Sequence, residues 1–187
     1  ASHFRKAEEF RCDVTELDSH GTVLMNGFYP TINGKLRELP GGIIIGSLNA
    51  AARKYPELLE KHYGKYARND SDGLVHLNTA MVSDGVFIYV PKGAAPGKPV
   101  QVVNLVDSEE DTFNQHRNLI IVEENAECSV IICDHTMTPR RFLTNAVSEV
   151  YTGRNSSFDL IRVQNEHNNA CKITHTFIHQ ERNSHVT

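Results

Sequence analysis

A chain of 187 residues, 40% of them hydrophobic, is long enough to fold as one domain with a substantial core. Its formal charge is −4 and its 19 Lys and Arg residues are dispersed, which argues against nucleic-acid binding, because neutralising phosphates requires clustered basic residues. The longest apolar runs fall far short of the roughly 20 residues that span a bilayer, so we expect no membrane helix.

The first 40 residues show no sustained helical or strand periodicity, and a helical pattern follows them. Residues 1–40 hold short apolar fragments between Gly, Asn and Pro, which indicates an irregular or β-rich start. From Ser47 onward the pattern becomes helical, with Ser47 as a candidate N-cap and Pro56 suited to a first helical turn. A helix from Pro56 should end at Gly64. Its apolar stripe would consist of Leu58, Leu59, His62 and Tyr63.

Residues 68–73 form a polar, turn-forming run that is the best internal boundary in the sequence. We therefore expect an N-terminal α+β segment over residues 1–73 and a β core over residues 74–187. Helices should be confined mainly to residues 47–81.

Beyond that boundary the chain reads as β almost throughout. Val86–Val90 is a run of five β-branched or aromatic residues between Asp84-Gly85 and Pro91. Such a run is typical of a strand that is buried on both faces.

The β region also repeats. Asn125, Asn155 and Asn183 recur at intervals of 30 and 28 residues, each between strand-like runs, and Asn tolerates the left-handed backbone of a tight corner. Two strands per repeat predict a stacked coil, a parallel β-helix from about Gly85 onward with these Asn residues at equivalent corners. The handedness of parallel crossovers makes it right-handed. The alternative is a β-sandwich in which three Asn turns recur by chance.

Cysteine and histidine are the residues most suggestive of a metal site. Thiolate and imidazole from Cys128, Cys133 and His135 would suit zinc or an iron–sulfur cluster. Strand alternation, however, places Cys128 on the face opposite Cys133 and His135, so the two thiols cannot share an ion without a bulge. We therefore favour a structural role for these three residues.

His175 and His179 lie in an alternating, strand-like segment. Four residues of strand separate the two rings by roughly 13 Å, which is too far for a shared ion. A surface or corner role is the simpler interpretation.

Chemistry elsewhere in the chain is equally sparse. Asp134 and His135 are adjacent and so face opposite ways, no Gly-x-Ser-x-Gly elbow is present, and no glycine-rich segment continues into Gly-Lys-Ser/Thr. The acidic runs at residues 109–111 and 123–124 read as solvated corners. We assign no catalytic, cofactor-binding or metal-binding residue and expect no cofactor.

The cysteine content indicates the cellular compartment in which the chain folds. Cys12, Cys128, Cys133 and Cys171 are too few and too irregularly spaced for a disulfide framework, and the sequence shows no export signal. We expect a reducing, cytoplasmic environment.

Four separated motifs occur in an order that identifies a family resemblance. Leu39–Leu48, Leu77–Gly93, Lys98–Leu105 and Glu123–Ala126 together resemble the SufB/SufD family of scaffold subunits for iron–sulfur cluster assembly, and the SufD branch in particular. The resemblance runs from about Gly21 to the end of the chain.

This resemblance implies a parallel β-helix flanked by helical parts and a non-catalytic scaffold role. It implies partnership with a SufB-like subunit and the ATPase SufC in a SufBCD complex. Family members are about twice this length, and their ATPase-binding and subunit-interface parts, with the Cys and His positions associated with cluster assembly, correspond to sequence beyond residue 187. The chain is therefore interpreted as a truncated member, and no functional residue is carried over.

Two other classes stay open. A β-helical polysaccharide lyase or hydrolase would show a groove crossed by Arg, Lys and Asp on neighbouring coils. A purely structural interaction module would work independently of SufB and SufC. Because the chain is interpreted as truncated, its last coil, around Cys171–Thr187, should carry an open edge. We therefore expect this chain in isolation to self-associate, as a homodimer for example, or to be disordered in its final residues.

Overall fold

A computed structural model describes residues 17–30, 36–67 and 72–187. Cys12 and residues 68–71 of the expected boundary loop lie outside these ranges. Within them the chain is mainly β, with three helices ahead of the principal strands, as the sequence predicts. The elements in chain order are β1 (His20–Met25), β2 (Leu36–Leu39), β3 (Ile43–Ser47), α1 (Leu48–Lys54), α2 (Pro56–His62), α3 (Gly73–Met81), β4 (Val86–Val90), β5 (Val100–Val106), β6 (Thr112–Val122), β7 (Glu127–Thr136), β8 (Phe142–Thr152), β9 (Ser157–Asn165), β10 (Ala170–Gln180) and β11 (His185–Val186).

The strands form two sheets, and the chain alternates between them. One sheet has the order β1-β5-β7-β9-β11 and the other the order β10-β8-β6-β4-β3-β2. Among strands β4 to β11 every pairing is parallel, and each strand from β6 onward stacks on the strand two positions earlier. This is a β-solenoid, which confirms the predicted coil and excludes the antiparallel sandwich. Its expected right-handedness stays a prediction.

The Asn corners are the clearest repeat in the fold. Asn125, Asn155 and Asn183 all have left-handed backbone, with φ of 57°, 54° and 59°. The Asn155 side-chain amide donates to the Asn125 side-chain oxygen at 3.2 Å, and the Asn183 amide donates to that of Asn155 at 3.2 Å. The three residues therefore occupy equivalent corners of successive coils, as predicted.

Replacing Asn155 by alanine should lower the free energy of unfolding by about 1–2 kcal/mol. Alanine is strained in the left-handed conformation, and it removes the side-chain hydrogen bonds to Asn125 and Asn183. Asn155→Gly should cost less, since glycine adopts that backbone freely. Urea unfolding of the two variants checks the order. Equal stability of Asn155→Ala and the wild type would show that the corner does not constrain the coil.

The first strand is a departure from expectation. The coil was expected from about Gly85, yet β1 pairs in parallel with β5, from His20↔Val100 to Met25↔Leu105. Meanwhile β2 and β3 extend the other sheet by antiparallel pairing. Residues well before the helices thus protect the first edge of each sheet. The domain boundary expected at residues 73/74 stays a prediction.

Burial on both faces of the central strands is confirmed. Toward the lumen of the coil, Ile88, Ile120 and Val150 join one hydrophobic core with residues of the opposite sheet. On the outer face, Phe87 and Leu119 pack in a second cluster with residues of α1 and α2. The helical segment therefore covers the outside of one sheet.

The helices begin where the sequence indicates. The Ser47 hydroxyl accepts a hydrogen bond from the backbone N–H of Ala50 at 3.1 Å, and Pro56 opens α2. Gly64 follows α2 with φ of 70°. The expected stripe also packs inward: His62 is fully buried, while Leu58, Leu59 and Tyr63 pack against the outer-face cluster.

Strand β10 pairs with β8 on one side only, at the end of the strand order of the described residues. Ile178, which faces the lumen by register, is 39% exposed there. We expect this chain to form concentration-dependent dimers through that edge, and Ile178→Lys should shift it to monomer because an inward-pointing charge blocks strand addition. Light scattering is the measurement, with Phe113→Lys on the outer face as control. A monomeric wild type at all concentrations would contradict the prediction.

Candidate functional site

The two buried cysteines of β7 lie in different environments. Cys128 belongs to the hydrophobic core of the lumen with Val130, whereas Cys133 packs with Ile131 in a separate cluster on the other face. The predicted split of the two thiols is thus what the structure shows. In the part of the chain that the structure describes, no group of three or more His, Cys, Asp or Glu side chains is arranged to hold a metal ion.

The thiols differ in accessibility. Cys128 and Cys133 are buried and Cys171 is exposed, and none of these three described cysteines is in a disulfide. Burial raises the pKa of Cys128 to about 12, with a small contribution from the Asp159 carboxylate. A thiol that stays protonated is a poor nucleophile and a poor metal ligand.

His175 and His179 contact different carboxylates. His175 Nε2 lies 2.8 Å from an oxygen of Asp72, the residue that also caps α3 by accepting the Leu74 N–H. His179 Nε2 lies 3.3 Å from Glu181. The structure therefore does not bring the two imidazoles to a common ligand position.

His179 belongs instead to a cluster of four rings on the outside of the coil. Its ring stacks on Tyr151 with centroids 5.8 Å apart and on Tyr66 with centroids 5.2 Å apart. His62 completes the cluster, its Nδ1 lying 2.6 Å from the Tyr66 hydroxyl. Burial, and then the charge of Lys61, lower the pKa of His62 to about 4. The cluster fixes α2 and the following turn against β8 and β10.

A charged cluster inside the lumen was not anticipated from the sequence. The carboxylate of Asp134 is fully buried and contacts two cations, Arg162 at 3.1 Å and Lys172 from the opposite sheet. The Asn104 side-chain amide donates to the same carboxylate at 2.7 Å. Strand alternation could have revealed it in the sequence. Asp134 continues the inward-facing series of Cys128, Val130 and Ile132, so its carboxylate had to lie in the lumen.

Electrostatics at this cluster favour the ionised carboxylate. Burial alone would raise the pKa of Asp134, but Lys172, Asn104 and Arg162 outweigh it and hold the pKa below its usual value. The neighbouring His116 imidazole is almost completely buried. Burial, followed by the charge of Lys172, lowers the pKa of His116 to about 3. His116 is therefore neutral near pH 7.

These three charges also bear on the polysaccharide alternative. A polysaccharide-cleaving enzyme would need Asp, Arg and Lys on neighbouring coils, and these three residues do come from neighbouring coils. However, the side chains of Asp134, Arg162 and Lys172 are only 0%, 24% and 5% exposed. They line the interior of the coil instead of an external groove. A polymer lying on the surface would not reach them.

Stability should fall as the pH drops below about 6.5. The unfolded chain takes up a proton on His116 near pH 6.5, whereas the folded chain does so only near pH 3, so this residue alone contributes a loss of about 1.4 kcal/mol per pH unit between those values. His62 acts in the same direction down to about pH 4. The depressed pKa of Asp134 adds a further loss below about pH 3.9.

Urea unfolding between pH 7 and pH 4.5 measures this dependence. His116→Gln and His62→Gln should each reduce the pH dependence of the free energy of unfolding, because each variant removes one group that takes up a proton only on unfolding. An unchanged slope in both variants would show that neither imidazole is held neutral by the fold.

On the outside of the coil, a buried ion pair connects the sheet to the helical segment. Arg117 Nε and Nη2 contact one oxygen of Glu149 at 2.9 and 2.8 Å, and the two side chains are 1% and 0% exposed. Glu149 also accepts the backbone N–H groups of Gly64, Tyr66 and Ala67, each at 2.9 Å. This arrangement, termed the Glu149 clamp below, fixes the turn after α2.

None of the helices among the described residues is long and apolar enough to cross a membrane. The polar features of this β-solenoid are thus the charged cluster around Asp134 inside the lumen and the Glu149 clamp beneath the helical cover.

Comparison with known proteins identifies the family. The model of the SufBD protein N-terminal region matches residues 1–102, and the model of the SUF system FeS cluster assembly, SufBD core domain, matches residues 104–187. A similar relative is the iron–sulfur cluster assembly protein SufD of Bacillus subtilis, 31% identical over 125 residues, which are 66% of this chain and 29% of the relative.

Two further relatives are described as iron–sulfur cluster assembly SufBD family proteins. ABCI9 of Arabidopsis thaliana is 38% identical over 85 residues, covering 46% of this chain and 18% of its own length. The slr0076 protein of Synechocystis is 27% identical over 171 residues, covering 87% of this chain and 38% of its own length. The chain thus spans less than two fifths of each of these three relatives. With a family model matching more than half of it, the chain belongs to the SufBD family of iron–sulfur cluster assembly proteins.

Proposed function

We propose that this chain is the N-terminal part of a SufD-like scaffold subunit that supports iron–sulfur cluster assembly without catalysing a reaction itself. The observation that carries the proposal is the succession of two family models along nearly the whole chain, together with the β-solenoid fold. The B. subtilis relative named SufD favours the SufD branch.

The proposed partners are a SufB-like subunit and the ATPase SufC. The chain offers no Gly-Lys-Ser/Thr phosphate loop of its own, so ATP hydrolysis would come from the partner. A rigid coil with a covered face is suited to hold two other subunits at a fixed separation. In this proposal, closure of the ATPase dimer is transmitted through the sequence that follows residue 187, and the present chain supplies the fixed part.

A cytoplasmic setting belongs to the same proposal. The three described cysteines, Cys128, Cys133 and Cys171, are not in disulfides, which supports a reducing compartment.

Genetic complementation tests the function. The gene is deleted, and the activity of a cluster-dependent enzyme such as aconitase is measured during iron limitation. The complete gene should restore activity, whereas residues 1–187 alone should not, because the chain covers only a fraction of its relatives. Normal aconitase activity in the deletion strain would contradict the scaffold role.

A variant of the complete gene tests the non-catalytic part of the proposal. Cys171 is exposed, so Cys171→Ser should not disturb the fold. If no cysteine of this region handles sulfur or iron, the variant should restore aconitase to the wild-type level. Loss of restoration with normal protein abundance would assign chemistry to that thiol. Co-purification of tagged complete protein with SufB and SufC tests the partners separately.

A further inference from the structure

A cleft of about 320 Å³ lies where α1 and α2 meet the turn that joins α3 to β4. Its described lining residues all fall between residues 48 and 84 of the chain. This volume is at the lower end of the range for small-molecule sites, roughly 300–1,000 Å³. The cleft therefore has room for a compact organic molecule.

The walls of the cleft are mainly apolar. Leu48 and Leu59 line it from α1 and α2, and Val82 lines it from the turn before β4. Both leucines also belong to the outer-face cluster that packs the two helices on the coil. The Tyr63 ring forms part of the wall, and the Arg117 guanidinium lies over that ring, 5.0 Å from its centroid. These contacts fix the walls before a ligand binds, which lowers the cost of binding.

Among the described lining residues, Asp84 carries the only formal charge, and it is only 9% exposed. Its Oδ1 accepts hydrogen bonds from the Ser47 hydroxyl at 2.8 Å and from the Asn49 backbone N–H at 3.1 Å. Its Oδ2 accepts one hydrogen bond, from the Tyr29 backbone N–H at 3.2 Å. A carboxylate has about four acceptor positions, so one position on Oδ2 stays available for a ligand.

All three groups that donate to Asp84 are neutral. In the part of the chain that the structure describes, no Lys, Arg or His side chain forms an ion pair with this carboxylate. A charge that is largely removed from water is stabilised by a counter-charge. Asn49 adds a second acceptor, because its amide nitrogen donates to the Ser83 backbone oxygen at 3.3 Å while its Oδ1 accepts no hydrogen bond from a described residue. A negative charge and a free amide oxygen beside apolar walls favour a cation with an apolar body.

We propose that the cleft binds a small primary amine with a compact apolar body. The ammonium group donates to Asp84 Oδ2 and to Asn49 Oδ1. The apolar body packs against Leu48, Leu59 and Val82. An anion would be repelled by Asp84, and a neutral molecule would cover the carboxylate without compensating its charge. This site does not depend on the proposed scaffold function.

The probe for this site is 2-phenylethylamine, and 2-phenylethanol is its uncharged counterpart with the same ring and ethyl chain. Isothermal titration calorimetry measures the Kd of each for the wild-type chain. The amine should bind at least about tenfold more tightly than the alcohol, because only the amine makes a charged hydrogen bond to the carboxylate. In ¹H–¹⁵N NMR spectra, the amide signals of Asn49 and Ser83 should shift as the amine is added.

Two variants test the charge and the cavity separately. Asp84→Asn removes the charge and should make the affinities for the amine and the alcohol nearly equal. Ala52 is an exposed lining residue of α1, so Ala52→Phe should fill the cleft and abolish binding of both probes. Ala80→Phe is the matched control. Ala80 is an exposed residue of α3 outside the cleft lining, so this variant should bind the amine like the wild type.

Three outcomes overturn the proposal. The first is a wild type that binds the amine no more tightly than the alcohol, or binds neither. The second is an Asp84→Asn protein that folds and keeps the full preference for the amine. The third is equal amine affinity in Ala52→Phe and Ala80→Phe, which would place the amine outside the cleft. Should Asp84→Asn not fold, the comparison of Ala52→Phe with Ala80→Phe decides.

Discussion

Replacing Glu149 by alanine should lower the free energy of unfolding by about 3–5 kcal/mol, the range for removing one partner of a buried ion pair. The substitution leaves the Arg117 guanidinium, 1% exposed, without its carboxylate. It also removes the acceptor of three backbone N–H groups in the turn after α2. Loss of both contributions should release the helical segment from the outer face of the coil.

Chemical denaturation followed by circular dichroism measures this effect, and limited proteolysis after residue 63 locates it. Glu127→Ala is the matched control, because Glu127 is an exposed carboxylate on strand β7 of the other sheet. The double variant Arg117→Met with Glu149→Met should lose less than the two single variants together, since no charge is left unpaired. A loss below about 1 kcal/mol for Glu149→Ala would contradict the Glu149 clamp.

Gly85→Ala should be at least as damaging, with an expected loss of more than about 4 kcal/mol, which is rare for a single substitution. A Cβ atom at residue 85 would lie 1.7 Å from the backbone oxygen of Arg117 and 2.6 Å from its carbonyl carbon. Neither atom can move without disturbing β6. The Arg117 N–H also bonds to the Asp84 oxygen, and the Gly85 oxygen accepts the Leu48 N–H, so separation breaks both contacts.

Gly73→Ala is the control for this prediction. A Cβ at Gly73, the first residue of α3, would meet no atom of the described residues within 4 Å, so the change should stay within about 1 kcal/mol of the wild type. Soluble expression and the denaturation midpoint of both variants are compared. A Gly85→Ala protein as stable as Gly73→Ala would mean that β4 and β6 do not approach as closely as described.

The sequence correctly predicted the structural elements that depend on a few adjacent residues. The apolar run Val86–Val90, the cap at Ser47 and the three Asn corners each depend on a few adjacent residues, and each was found where the sequence indicated. The pairing of β1 with β5 depends on residues about 80 positions apart in the chain, as in His20↔Val100, and no adjacent residue signals it.

The charged sites were missed for a related reason. Arg117 and Glu149 are separated by slightly more than one coil, and each looks like a solvated charge when considered alone. Their burial follows from the helical cover, which the sequence located but could not orient. The family resemblance supplied the fold class and the branch, but it assigned no role to the charged cluster around Asp134 or to the Glu149 clamp.

The helical cover changes how this solenoid should respond to stress. A stack in which each coil contacts only its neighbours can fray progressively from an end. Here α2, α3 and their flanking turns contact three successive strands of one sheet: Asn78 donates to backbone oxygens of both β6 and β8, and Asp72 contacts His175 of β10. These contacts connect three successive coils across the stack, so β6, β8 and β10 should unfold as one cooperative unit.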